Sequence, residues 1–281
     1  MVLTRRIVCL FALSALACSA ARAQTMRFET SVGNIDMVLN PTNDANLQPL
    51  VDNMVAYIGL GRYHYTAINR AAEDFVLQMG GFLGFQPLPN LFAGGRISVD
   101  ALTPVTTDAN GDGIVDFSTL SNTRGEVSLA LRSGDPNSGT SSFFINLGNN
   151  SFLDSQGFVP FARIENMTTI DRIMQLMQSD QSGGTGDLSL SDIPVLDSGR
   201  MVVVQRVFVL QADPEFSFVG PVATALELAS RDSAAATATA AASESIEAAA
   251  LAAIAPVPEP ASVLLAGLAA LGLFGARRFV R

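Results

Sequence analysis

The stretch Tyr65-Thr66-Ala67-Ile68-Asn69-Arg70-Ala71-Ala72-Glu73-Asp74-Phe75-Val76-Leu77-Gln78-Met79-Gly80-Gly81 decides the reading of this chain. It sets one cation, Arg70, ahead of Phe75 and Gln78 and closes on two glycines. On its N-terminal side, residues 26–39 form two short alternating runs around Gly33-Asn34, the pattern of a β-hairpin. Between hairpin and stretch, Leu50, Val51, Met54, Val55 and Ile58 share one helical stripe, which Gly59 or Gly61 ends. On its C-terminal side, residues 127–131, 143–147, 158–164 and 201–210 are strand-like runs separated by Gly, Pro, Asn and Asp, and residues 168–177 have helical spacing. Many strands with two helices predict a mainly β fold, a closed barrel capped by helices.

Composition narrows the chemistry. The 281 residues carry 17 basic and 26 acidic groups, a net charge of −9, and every basic residue is an arginine. That balance argues against nucleic-acid binding. The absence of lysine removes phosphate-loop and Schiff-base chemistry, and one histidine with two cysteines cannot build a His-rich or Cys-rich zinc site. His64, between Tyr63 and Tyr65, has no Ser and Asp partners at a recognisable spacing and reads as a surface or cleft-edge residue. Gly80-Gly81-Phe82-Leu83-Gly84 lacks the Lys-Ser/Thr of a phosphate loop.

The two ends read as export signals. Residues 1–23 place Arg5 and Arg6 before an apolar run and finish on Ala21-Arg22-Ala23, a signal peptide with both Cys9 and Cys18 inside it. Residues 214–255 are rich in Ala, Ser and Thr and read as a linker with some helix. Residues 256–281 hold Val257-Pro258-Glu259-Pro260, an apolar run from 261 to 276, and Arg277, Arg278 and Arg281. This three-part tail resembles the PEP-CTERM sorting signal, which implies an exosortase-type processing partner and transient anchoring in the inner membrane by the apolar run. Without Arg5, Arg6, Arg22, Arg277, Arg278, Arg281 and Glu259, the exported part keeps 11 basic and 25 acidic residues, a net −14. The folded domain is expected at 24–213. The chain is expected outside the cytoplasm, in periplasm, cell envelope or medium.

Further blocks accompany the opening stretch: Asn122-Thr123-Arg124-Gly125, then Asp135-Pro136-Asn137-Ser138-Gly139-Thr140-Ser141-Ser142-Phe143-Phe144-Ile145-Asn146, then Phe152-Leu153-Asp154 with Phe158-Val159-Pro160-Phe161. In order and spacing they resemble the cyclophilin signature. The resemblance implies a closed eight-stranded antiparallel barrel with two capping α-helices and a peptidyl-prolyl cis-trans isomerase acting on proline-containing polypeptides. It also implies roles: Arg70, Phe75 and Gln78 as the catalytic set, with Val76, Leu131, Arg132, Ser142, Phe144, Phe152, Leu153 and Phe158 binding substrate. No cofactor is required. An X-Pro bond isomerises over a barrier of about 18–20 kcal/mol because amide resonance is broken, leaving an electron-rich, pyramidal nitrogen. A donor aimed at that nitrogen and a dry apolar seat for the ring suffice.

Some positions depart from the family pattern. Asn69 stands where the family has His before the Arg, Ser142 where it has Gln, Phe152 where many members have Trp, and Phe158 where others have His or Tyr. Leu131 and Arg132 fall where a small residue and a backbone-contacting residue line the cleft. Reduced or altered activity and lower sensitivity to cyclosporin are expected. The alternative is a catalytically weak binding module of the extracellular matrix or envelope.

Residues 108–116 match a calcium-loop spacing, with Asp108, Asn110, Asp112 and Asp116 as ligands and Gly113 at the turn. Thr119 stands where a bidentate Glu would close such a loop. The residues are compatible with a weak structural calcium site or with a plain acidic turn.

Overall fold

The computed structural model describes residues 24–84, 97–132, 135–184, 186–212 and 216–253, so the expected signal peptide and C-terminal sorting segment lie outside the described residues. The chain opens as expected, with strand β1 (Gln24–Thr30) turning back into β2 (Asn34–Leu39). Thr30 fixes the turn: its Oγ1 donates to Gly33 O at 2.7 Å and accepts from the amides of Val32 and Gly33 at 3.1 Å. Helix α1 (Gln48–Gly59) follows, started by Pro49, whose missing N–H costs nothing in a first turn. Its stripe of Leu50, Val51, Met54, Val55 and Ile58 is buried as the spacing requires.

Strands β3 (Thr66–Ala72), β4 (Val76–Leu83), β5 (Glu126–Leu129), β6 (Phe143–Asn146), β7 (Pro160–Ile164) and β10 (Val204–Gln211) complete an eight-stranded antiparallel sheet in the order β10-β1-β2-β7-β5-β6-β4-β3. Helix α2 (Thr168–Met174) buries Ile170 and Ile173 against the same core. A two-stranded hairpin, β8 (Met177–Ser179) with β9 (Ile193–Val195), intervenes before β10. Phe28, Tyr63 and Phe143 meet at the centre with ring centroids 5.6–5.9 Å apart. Gly80, at φ +84°, is required there: a Cβ would lie 2.8 Å from Ser141 O and 2.9 Å from the Tyr63 ring.

The closed barrel is corrected to an open one. The end strands β3 and β10 share no ladder; one isolated bridge, Ala67–Val203, spans the seam, with bonds from Tyr65 N to Val204 O (2.6 Å) and Ile68 N to Val202 O (2.9 Å). Two register shifts kink β3, between Thr66 and Ile68 and between Ile68 and Arg70. Further along its free edge, Ala71 N donates to Asp192 O, so the segment before β9 occupies the place a closing strand would need.

The apolar packing does not stop at residue 213. Phe216, Phe218 and Ala225 pack on the core, and the compact unit extends to Ala229. Gly59 makes the approach possible: a Cβ there would stand 2.7 Å from Val222 Cγ2. Helix α3 spans Val219–Ala253, making the Ala/Ser/Thr-rich stretch helical from near its start to Ala253. In the second unit, which begins at Ser230, Thr237 and Thr239 turn their hydroxyls onto the carbonyls of Ser233 and Ala235. Among the described residues no helix is long and apolar enough to cross a membrane.

Candidate active site

Successive residues of a strand point to opposite faces, and the register of β3, β4, β6 and β5 converts that rule into a site. Arg70 pairs with Gln78, Gln78 with Phe144, and Phe144 with Ser128, one row across four adjacent strands. The alternate residues Leu77, Met79, Phe143, Ile145, Val127 and Leu129 belong to the main core. Those on the row's side form a separate apolar cluster of Val76, Phe144 and Leu153, joined by Phe75, Ala130 and Phe158. The site therefore stands on the outer face of the sheet.

Phe144 is its floor. It is only 4% exposed, and Phe158 meets it edge to face at 5.5 Å. Phe75 and Phe152 stack at 6.1 Å, and Phe152 keeps 55% of its surface open. Phe75 is presented by a turn in which Asp74 adopts φ +53°; its carbonyl accepts from Leu147 N at 2.9 Å and from Asn150 Nδ2 at 2.7 Å. Beside these apolar groups stands the guanidinium of Arg70, with Cζ 5.3 Å from the Phe75 ring centre. Arg70 Nε lies 3.9 Å from Asp192 Oδ2 and is buried with no hydrogen-bond partner. Gln78 does not hold Arg70; its Nε2 donates to Ser142 Oγ at 3.1 Å.

A polar network borders the floor on its own face of the sheet. Asn122 Oδ1 accepts from Ser128 Oγ at 2.8 Å and from Asn146 Nδ2 at 3.2 Å, while Asn122 Nδ2 donates to Asp154 Oδ1 and to Phe158 O. Asn150 Nδ2 donates to Asn146 Oδ1 at 2.8 Å. Burial pushes the Asp154 carboxyl up, but hydrogen bonds from Ser121 and Asn122 outweigh it and hold the group below its ordinary value. Sequence reasoning missed these residues as positioning groups. Asn122, Asn146 and Asp154 stood inside the quoted blocks, where an amide or carboxylate among apolar neighbours was the available signal. Ser128, Asn150 and Asp192 carried none.

The predicted set thus divides. Arg70, Phe75, Val76, Gln78, Ser142, Phe144, Phe152, Leu153 and Phe158 come together. Leu131 does not join the cleft cluster: it packs against the main core, and Ala130 is the residue of that strand end on the pocket cluster. A shift of one residue along a strand exchanges the faces. Arg132 is exposed, its amide donating to Ser138 Oγ at 2.7 Å. Asn69, beside Arg70, is fully buried and donates from Nδ2 to Ser189 O at 2.8 Å. His64 is exposed.

The calcium-spaced loop closes on itself. Asp108 accepts from the amides of Gly111 and Gly113 at 2.7 and 2.8 Å, Asp112 from that of Ile114, and Asp116 from Ala109 N and Asn110 Nδ2. Among the described residues no three His, Cys, Asp or Glu side chains converge as a cation site would need.

The outer face of the antiparallel sheet thus carries an arginine beside a buried aromatic floor. Residues 25–195 match the family described as cyclophilin type peptidyl-prolyl cis-trans isomerase, and the chain belongs to it. More particularly, residues 256–278 match the PEP-CTERM protein-sorting motif, which marks the enzyme for export to the cell envelope. The peptidyl-prolyl cis-trans isomerase cyp18 of Streptomyces antibioticus is 29% identical over 186 residues, covering 63% of this chain and 98% of its own. Peptidyl-prolyl cis-trans isomerase B of Escherichia coli K12 is 29% identical over 174 residues, covering 59% and 93%. A crystal structure of a Cryptosporidium parvum cyclophilin type isomerase covers 68% of this chain and 99% of its own at 18% identity, with a TM-score of 0.47.

Proposed function

We propose that this isomerase acts on X-Pro bonds of exported polypeptides and assists their folding outside the cytoplasm. The observation that carries the reading is the row Arg70, Gln78, Phe144 with its wall of Val76, Leu153 and Phe158. The prolyl ring seats on Phe144, where burial of its methylenes favours binding in a dry pocket. Arg70, whose Nε has no hydrogen-bond partner, donates from its guanidinium toward the prolyl nitrogen and carbonyl as the amide twists. Such a donor is matched to the twisted state and accelerates by binding it better than the planar one. An exosortase-type enzyme recognises the C-terminal motif, and the apolar run at 261–276 anchors the chain in the inner membrane until then.

The test is the catalysed rate of cis-trans exchange in an X-Pro peptide, measured with the full chain and with Arg70→Ala. An Arg70-dependent rate supports the reading, and its absence rejects it. One observation favours a second reading, a weakly catalytic binding module: Gln78 spends its amide on Ser142, where the family's Gln would face substrate. Proline-peptide binding that persists without an Arg70-dependent rate selects that alternative.

A further inference from the structure

Gln78 lies directly across from Arg70 and would be its natural clamp, yet its amide is committed to Ser142. Among the described residues, two groups remain around the guanidinium. The Phe75 ring offers its face at 5.3 Å, and Asp192 brings a carboxylate oxygen to 3.9 Å from the buried, otherwise unanswered Nε. Of the two, only Asp192 supplies a full opposite charge at that nitrogen.

Asp192 comes from 122 residues further along the chain, and its placement is built. The residues on either side of Arg70 are stitched to its segment: Asn69 Nδ2 donates to Ser189 O at 2.8 Å, and Ala71 N to Asp192 O at 2.7 Å. Asp187 caps the short turn Leu188–Leu190 by accepting from Ser189 N at 2.9 Å. Leu190 and Ile193, both fully buried, pack with Ala67 and Met201 in a small cluster of their own. Ser191 Oγ donates to Asp192 Oδ2. A carboxylate located by backbone bonds and packing on both sides loses little freedom in meeting its partner.

We infer that Asp192 is a positioning residue for the isomerisation. Its charge fixes Arg70 through Nε above Phe75, leaving the terminal guanidinium nitrogens for the substrate. The inference rests on the reading of Arg70 as the donor.

The experiment compares the full-length protein with Asp192→Asn, which removes the charge at constant size, and Asp192→Glu, which restores it. Kinetics on an X-Pro peptide and the NMR resonance of the Arg70 Nε–H, identified by its loss in Arg70→Lys, are both recorded. A pair about a quarter to a third exposed sets the scale. The expected result for Asp192→Asn is a loss of about fivefold in kcat with KM and melting temperature unchanged, and a shifted or broadened Nε–H signal. Asp192→Glu recovers most of the rate. Full activity in Asp192→Asn overturns the inference, as does an equal loss in both variants, which marks a merely structural role. An inactive wild type fails the functional reading instead, and the Nε–H signal still decides whether the pair exists.

Discussion

The outward row on β3, β4 and β6 and the acidic loop 108–116 both stand out by residue spacing, and they end in opposite conditions. In the loop, Asp108, Asp112 and Asp116 each accept a hydrogen bond from the loop itself. On the row, Arg70 Nε is buried with no hydrogen-bond partner and Phe152 is 55% exposed. Spacing tells which groups are brought near one another. Counting their bonds tells which are left for a partner.

The largest effect is expected from Phe144→Ala. Removing a floor residue only 4% exposed leaves a cavity, and a stability loss of about 3–5 kcal/mol is expected in denaturant unfolding, together with lost affinity for proline peptides. A loss below about 1 kcal/mol would mean that the outer cluster is not a packed seat. Arg70→Ala comes next, with kcat/KM down by a few hundredfold at unchanged fold, the scale of losing one oriented donor worth about 2.7–4 kcal/mol.

Asp108→Ala tests the other side of the comparison. It strips acceptors from the amides of Gly111 and Gly113, and a cost of about 1–3 kcal/mol with unchanged isomerase activity is expected. Calcium added to the wild type should leave its melting temperature where it was. A calcium-dependent rise would show that these oxygens do turn to a cation, and the contrast between the two regions would fall.

The smallest effect concerns pH. Asp154 has its folded pKa held below the ordinary aspartate value of about 3.9, so its contribution is complete above that pH and disappears as pH falls through the lower folded value. Asp154→Asn should therefore flatten the acid limb of the stability curve below about pH 4. An acid limb as steep as that of the wild type would remove Asp154 from the support of the site.

Much of this was legible in the chain because it is local. The hairpin around residues 30–33 and the stripe of α1 follow from neighbours, and the blocks around Arg70 and Phe144 name the residues that meet. Four features were not legible. The fate of Leu131 depends on strand phase, where one residue decides between core and cleft. Asp192 reaches Arg70 through backbone bonds that leave no side-chain pattern. The open seam goes with the segment before β9 lying on the free edge of β3, and the continuation of packing to Ala229 goes with Gly59 admitting α3, both tertiary facts.

The alternation of β4 and β6 has one more consequence. Each strand carries two interleaved messages: Leu77, Met79, Phe143 and Ile145 keep the interior, while Val76, Gln78 and Phe144 address whatever arrives from outside. Because the two sets belong to separate apolar clusters, an outward residue at the rim can be changed while the inward set stands. Ser142, sitting just before Phe143 and answering Gln78, is an example: a change of specificity there need not be a change of scaffold. The freedom is confined to the open rim, because Val76 and Phe144 are themselves packed and cannot be exchanged at constant stability.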